Sequence, residues 1–329
     1  MYSNKIKAER KITGKFDVLA TGEDLWILMQ DKSSFFLLDN DLLPVRECKE
    51  NQSLESEKIK DIALHPSLEK FVVLTENTLH SISFSGEERE YLVEGVERIK
   101  YSPDGELLWC VEYMSDKQFR VSVRNAHSFT LLATDIYEDE LYRSHFRLTH
   151  LPEHNRMNLL QAAGQDGSMN SFLTYSNGTI QMDKIPQLDE TVVPEFRKDK
   201  KEFVIVLYPD GFATFTYPEC ENVFSYEVDH EKEEYSGFQS FYLNDNQLVY
   251  DINEYLWQIF DLKEKTKLGP FIIEGHEPKE AFHYFPRLKD DTDLITNVYR
   301  LQPYGKYIVG QYSDHTTEGK PSFLFVLEN

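Results

Sequence analysis

The amino-acid sequence predicts an all-β fold, a seven-bladed β-propeller built from four-stranded blades. The first observation is a repeat: an alternating segment, a polar or Pro/Gly turn and a denser apolar segment recur seven times. The second is the spacing of the dense segments, roughly 47 residues on average, which is in the range of a four-stranded propeller blade. The third is the composition, since 22 Phe and 19 Tyr residues suit the pleated surfaces of packed sheets.

The dense segment of each repeat is predicted to be its second strand, because a strand near the centre of a propeller is buried on both faces by neighbouring blades. These segments are 25–28, 71–74, 107–109, 159–160, 203–206, 248–250 and 307–309. The segments that follow alternate more regularly between apolar and polar residues, as expected of strands nearer to solvent. The predicted blades span about 13–50, 59–95, 97–136, 144–187, 191–229, 237–274 and 294–329, and the 59-residue step before the last blade leaves six or eight blades as alternatives.

Turn residues separate the strands inside each repeat. In the third repeat, Ser102-Pro103-Asp104-Gly105 is predicted to turn, because Pro fixes its own φ, Asp bonds forward and Gly accepts a positive φ. In the fourth repeat, Asn177-Gly178 is a tight-hairpin pair. The strands of each blade are therefore predicted to run antiparallel in sequence order.

The seventh repeat supplies only three strands, the last of them at 323–327. Residues 4–12 precede the first repeat and have no blade of their own. We therefore expect Ile6 to Ile12 to pair with the C-terminal blade as its fourth strand. Such closure leaves only short blade edges unpaired, and residues 1–329 are then predicted to form a single propeller domain.

Several short motifs resemble those of WD40-type repeats. Ser102-Pro103-Asp104-Gly105-Glu106-Leu107-Leu108 is similar to the turn that opens their strands, Gly164 to Ser168 to their hairpin between second and third strands, and Gly275-His276 to their Gly-His pair. The chain has no Trp-Asp dipeptide and only one Gly-His. The resemblance implies a divergent WD40-like propeller, and the buried Asp-His-Ser/Thr-Trp network of that family is not carried over.

Charge and cysteine content limit the function classes. The formal net charge is −22, so nucleic-acid phosphates would be repelled, and we expect no nucleic-acid partner. The three cysteines are far apart and lack C-x-x-C spacing, which is typical of a reducing compartment. No signal peptide or 18-residue apolar stretch is found, so the sequence predicts a cytoplasmic monomer without a membrane partner.

The acidic residues of the blade-to-blade connections are the candidate partner-binding site. They include Glu138, Asp139, Glu140, Asp229, Glu231, Glu233 and Glu234. These connections share one rim of the predicted disc, and lysines and arginines such as Lys200 and Lys306 fall on the opposite rim. Two interpretations remain open: a solvated acidic rim, or a surface that steers a basic protein or peptide.

No motif for catalysis, cofactor binding or metal binding is found. Gly-x-Ser-x-Gly, His-Glu-x-x-His, P-loop and dinucleotide-binding fingerprints are missing, and His145, His150 and His154 have no further ligand at zinc spacing. The leading hypothesis is a non-enzymatic scaffold that binds a basic protein or peptide, without catalytic residues, cofactor or metal. The alternative is a small-molecule hydrolase or lactonase-like propeller enzyme with a site at the mouth of the central channel.

Overall fold

A computed structural model describes residues 2–48, 54, 57–141, 143–163, 167–185, 193–207, 211–228, 239–253, 256–276, 296–314 and 321–328. Its strands form seven sheets, each an antiparallel blade of four strands, and one sheet carries a fifth strand. The predicted fold class, an all-β propeller of seven four-stranded blades, is confirmed. Among these residues, no helix is long and apolar enough to cross a membrane.

The first half of the chain contains two leading strands and blades 1 to 3. The leading strands are β1 (Tyr2–Asn4) and β2 (Ile6–Ile12). Blade 1 consists of β3 (Phe16–Thr21), β4 (Asp24–Asp31), β5 (Ser34–Leu38) and β6 (Pro44–Cys48). Blade 2 consists of β7 (Asp61–Leu64), β8 (Lys70–Leu74), β9 (Thr78–Ser83) and β10 (Glu88–Leu92). Blade 3 consists of β11 (Val96–Tyr101), β12 (Leu107–Ser115), β13 (Gln118–Asn125) and β14 (Leu131–Glu138).

The second half of the chain contains blades 4 to 7. Blade 4 consists of β15 (His145–His150), β16 (Arg156–Ala162), β17 (Ser168–Ser176) and β18 (Thr179–Lys184). Blade 5 consists of β19 (Glu195–Phe196), β20 (Glu202–Leu207), β21 (Gly211–Thr216) and β22 (Asn222–Glu227). Blade 6 consists of β23 (Ser240–Asn244), β24 (Gln247–Asn253), β25 (Leu256–Asp261) and β26 (Thr266–Ile273). Blade 7 contains β27 (Thr296–Tyr304), β28 (Tyr307–Asp314) and β29 (Ser322–Glu328).

Burial follows the position of a strand within its blade. The predicted second strands are the second strands of the seven sheets, and β8 and β20 are buried over almost their whole length. The fourth strands β6, β10 and β22 are mostly exposed. Apolar clusters fill the interfaces between successive blades; one of them joins Trp109 of blade 3 to Phe146 of blade 4. The second strands are therefore rich in apolar residues because a neighbouring blade covers each of their two faces.

The Ser102 turn forms as its residue types predict. The Ser102 and Asp104 side chains bond to each other at 2.5 Å, and Asp104 accepts the Glu106 N–H. Gly105 has a φ of +76°. The resembling hairpin at Gly164 to Ser168 lies largely outside the described residues.

The two leading strands attach to two different blades. β2 pairs antiparallel with β29 and is the fourth strand of blade 7, with Ile6 opposite Leu327 and Ile12 opposite Ser322. The Tyr312 hydroxyl reaches across to the Glu9 carboxylate at 2.7 Å. β1 adds a fifth, parallel strand to blade 6 beside β26, which the sequence did not predict.

Removal of β2 tests how far the ring depends on it. We expect deletion of residues 1–12 to lower the free energy of unfolding by about 2–3 kcal/mol from the lost burial of Ile6, Ala8 and Ile12 alone. The exposed β29 edge should also promote self-association. The measurements are the melting temperature and size-exclusion elution.

Deletion of residues 1–4 is the matched control, because it removes only β1 from the outer edge of blade 6. This variant should behave almost like the full chain. Equal melting temperatures for the two deletions would show that β2 does not hold the ring together.

Candidate functional site

Side chains of the first strands link successive blades around the central channel. Asp17 on β3 accepts the Leu64 N–H of blade 2 at 2.9 Å. Asp61 on β7 accepts the Ile99 N–H of blade 3 at 3.0 Å. Gln239, just before β23, accepts the Leu301 N–H of blade 7 at 3.1 Å. The first strands of these neighbouring blades are thus joined by hydrogen bonds in which a backbone N–H of one blade donates to a side-chain oxygen of the other.

Other side chains of the first strands reach blades that are not neighbours. Lys100 of blade 3 forms an ion pair with Asp17 of blade 1. Arg147 of blade 4 donates to Gln302 of blade 7 at 3.0 Å, although the two residues are 155 positions apart. Arg300, also in blade 7, donates to the same Gln302 oxygen at 2.9 Å. These contacts span the channel, and they gather its charges into one polar cluster.

The low dielectric of the channel shifts the proton affinities of this cluster. Burial raises the pKa of Glu195 to about 8, although Arg147 and Arg300 nearby act to lower it. Burial also lowers the pKa of Arg147 to about 10, with a further contribution from the repulsion of Arg300. For Asp61, burial raises the pKa to about 6 against the hydrogen bond from Ile99 and the charge of Arg98. Charge in this channel is therefore only partly compensated.

A second feature is a groove on the outside of the ring between blades 2 and 3. It is an open depression with a volume of about 660 Å³, lined by the end of β10 and by strands of blade 3. Its apolar walls include Leu92, Leu131 and Ile136, whose exposed fractions are 88%, 52% and 48%. Glu94 and Asp135 lie exposed among the lining residues.

Two arginines of the groove are held by groups of the protein itself. Arg120 forms an ion pair with Glu112 at 2.9 Å, and Glu112 also accepts a hydrogen bond from Ser122. Arg124 donates to the carbonyl of Phe129 at 3.1 Å. Glu112 thus neutralises Arg120, whereas a neutral carbonyl leaves the charge of Arg124 in place. The lining as a whole holds three carboxylates, those of Glu94, Glu112 and Asp135, against these two arginines.

The structure describes three of the seven predicted partner-binding residues. Glu138 and Glu140 are exposed, and Glu140 is paired with Lys184 of blade 4. Asp139 is only 4% exposed. Its carboxylate accepts hydrogen bonds from Ser144, at 2.8 Å from the N–H and 2.6 Å from the hydroxyl. It holds the connection from blade 3 to blade 4 and offers little surface to a partner. The other four predicted residues, Asp229, Glu231, Glu233 and Glu234, lie outside the described residues.

One group of side chains combines types that ligate metals. In blade 2, His80, Glu88 and Glu90 place their ligand atoms within 4.8 Å of one another. His80 is 1% exposed, and its Nδ1 already lies 2.9 Å from Glu88 Oε1. This contact is a hydrogen bond that fastens β9 to β10, so the cluster has a structural explanation. Of the sequence candidates, His150 bonds through Nε2 to the Tyr101 carbonyl at 2.9 Å.

Comparison with known proteins identifies the fold. No family model and no curated protein matches the chain. A solved structure described as the Dos1 propeller has 9% sequence identity and a TM-score of 0.56, and the match covers 99% of this chain and 95% of that chain. The chain has a seven-bladed propeller fold. The Cps50 (Swd1) β-propeller domain of Myceliophteria thermophila has 12% identity over 77% of this chain and 82% of that chain, with a TM-score of 0.47. At these identities the likeness concerns the fold alone.

Asp139 provides a test of the difference between a structural and an exposed acidic residue. We expect Asp139→Ala to lower the free energy of unfolding by about 2–4 kcal/mol, because it leaves buried donors of Ser144 without their acceptor. Glu138→Ala, which truncates an exposed side chain, should stay within about 0.5 kcal/mol of the wild type. Urea denaturation measures both. Equal losses would contradict the structural role of Asp139.

Glu195 should make stability depend on pH. Its pKa rises from the ordinary 4.5 to about 8 in the fold, so its favourable contribution is complete below pH 4.5 and is lost as the pH rises through 8. Relative to wild type, Glu195→Gln should therefore gain stability with rising pH over that window, by at most about 1.4 kcal/mol per pH unit. Urea denaturation from pH 5 to pH 9 measures this difference, with Glu138→Gln as the baseline. If the difference in free energy of unfolding between Glu195→Gln and the wild type stays constant from pH 5 to pH 9, the pKa of Glu195 is not raised by folding.

Proposed function

We propose that this protein is a non-enzymatic interaction propeller that binds a basic protein segment in the groove between blades 2 and 3. The observation that carries the proposal is the gathering of exposed Leu92, Leu131 and Ile136 around one cavity of about 660 Å³. The cytoplasmic location predicted from the sequence is part of the same proposal.

Exposed apolar side chains grouped in a concave site favour an interaction. Burying a leucine or isoleucine fully yields about 1.5–3 kcal/mol, so three such side chains can anchor a partner. Other exposed large apolar residues, such as Val45 of blade 1, Val223 of blade 5 and Leu268 of blade 6, are on separate blades. The groove on blades 2 and 3 therefore combines apolar surface with a shape that can enclose a side chain.

The charge of the groove supports a basic partner. The lining holds Glu94, Glu112 and Asp135 against Arg120 and Arg124, so carboxylates outnumber guanidinium groups by one. Ile136 and Glu138 are two residues apart on β14, so their side chains lie on the same side of this strand. A segment anchored at Ile136 can thus extend towards Glu138 at the acidic rim. The net charge of −22 adds long-range attraction for a basic partner.

The likeness to the Dos1 propeller supports the fold on which this proposal rests, and the groove supports the class of partner. Propellers host many functions, so the fold by itself does not select one. The alternative of a hydrolase or lactonase-like enzyme with a site at the channel mouth stays a prediction.

A peptide-display selection against the immobilised full chain tests the proposal. Selected peptides should combine Lys or Arg with large apolar residues. Ile136→Lys should weaken their binding at least about tenfold, because it removes an anchor and repels a basic peptide. The pair Glu138→Lys and Glu140→Lys, which leaves buried Asp139 intact, should weaken it less and mainly at low salt.

The matched control is Val45→Lys, which places the same charge at an exposed position of blade 1. It should leave peptide binding within about twofold of the wild type, apart from the small effect of one added charge. Biolayer interferometry measures the affinities. If Ile136→Lys and Val45→Lys bind the selected peptides equally well, the groove is not the binding site.

A further inference from the structure

Two guanidinium groups meet deep in the central channel on a single neutral oxygen. Arg147 on β15 and Arg300 on β27 both donate to Gln302 Oε1, at 3.0 and 2.9 Å. Arg147 lies between two buried residues of the chain, Phe146 and Leu148, and is itself half-buried. Two like charges in a site of low dielectric repel each other, and an amide oxygen carries no charge to offset this repulsion.

Carboxylates do not pair with these arginines within the part of the chain that the structure describes. Among the described residues, no Asp or Glu oxygen lies within 4.0 Å of the Arg147 or Arg300 guanidinium. Lys100 in the same channel, in contrast, is paired with Asp17. Glu195 belongs to the same cluster: its carboxyl accepts a hydrogen bond from the Gln302 side chain and acts electrostatically on both arginines. One carboxyl faces two guanidinium groups, so the cluster keeps a net positive charge even with Glu195 ionised.

We propose that the central channel binds a small anion with a carboxylate or phosphate group between Arg147 and Arg300. A guanidinium presents its N–H donors as a planar fork that matches the oxygens of such groups. One nitrogen of each arginine is used by Gln302, and the Gln302 oxygen fixes the two forks relative to each other. The anion supplies the negative charge that a buried cation pair requires.

The position of the site selects a small ligand. The contact between Arg147 and Gln302 joins blade 4 to blade 7, so the channel at this level is no wider than a few side chains. A polyanion such as nucleic acid is repelled by the net charge of −22. Tyr304 adds a neutral donor, because burial raises the pKa of its hydroxyl and keeps the proton in place. Lys100 takes no part, since Asp17 already neutralises it.

Isothermal titration calorimetry of the full chain with inorganic phosphate and with citrate tests this inference, and glycerol is the uncharged control. We expect saturable binding of one anion per chain and a melting temperature that rises with anion concentration. The two dissociation constants show whether the site prefers a phosphate or a carboxylate group. Arg147→Gln should weaken binding at least tenfold, and Arg147→Lys should restore part of the affinity because it keeps the charge without the fork.

Folding defects are separated from lost binding by two further variants. Arg300→Gln should weaken binding like Arg147→Gln, and each should be at least as stable as wild type without anion, because each removes one of two repelling charges. Arg197→Gln changes an arginine outside the channel that is paired with Asp199 and Glu202, and it should leave anion affinity unchanged. Binding that survives Arg147→Gln and Arg300→Gln, or no saturable binding of phosphate or citrate up to about 10 mM, would overturn the proposal.

Discussion

The unpaired inner edges of the blades are the constraint on which the rest of the structure depends. Each first strand has a neighbouring strand on one side only, and its other edge presents backbone N–H groups to the channel. Asp17, Asp61 and Gln239 accept such donors from the next blade in the ring. A buried donor left without an acceptor costs about 1–3 kcal/mol, so these side chains help both to satisfy the edges and to set the angle between blades.

This constraint also explains why the channel is polar in a molecule whose blade interfaces are apolar. The inner strands also carry cations that bond across to other blades. Lys100 pairs with the carboxylate of Asp17, and Arg98 donates to the Phe146 carbonyl of blade 4 at 2.8 Å. Arg147 and Arg300 go beyond this requirement, because they satisfy no inner edge and share one amide oxygen. Their excess charge distinguishes a ligand site from the groups that assemble the ring. The outer groove is independent of it, since its walls belong to strands at the rim of blades 2 and 3.

The repeat was sufficient to predict the blades, because alternation and turn residues are local properties. The second strands and the residue range of β2 could be predicted in this way. The channel cluster could not, since contacts such as Arg147 to Gln302 depend on how seven blades curve into a ring. The available signal was a charged residue inside an otherwise apolar first strand, as at Asp17 and Arg147. The sequence also grouped Asp139 with the exposed acidic residues. Its burial depends on the hydrogen bonds with Ser144 in the folded connection, and composition does not reveal these bonds.

The pairing of β2 with β29 sets an order of events during synthesis. Glu9 and Tyr312, whose side chains bond across this junction, are 303 positions apart. During synthesis β2 therefore emerges long before its partner β29, with the other blades made in between. β2 must stay unpaired until β29 has been made, and contacts of such long range form slowly. During that interval the ring is open, and the unpaired edges of blades 1 and 7 are exposed to association with other chains.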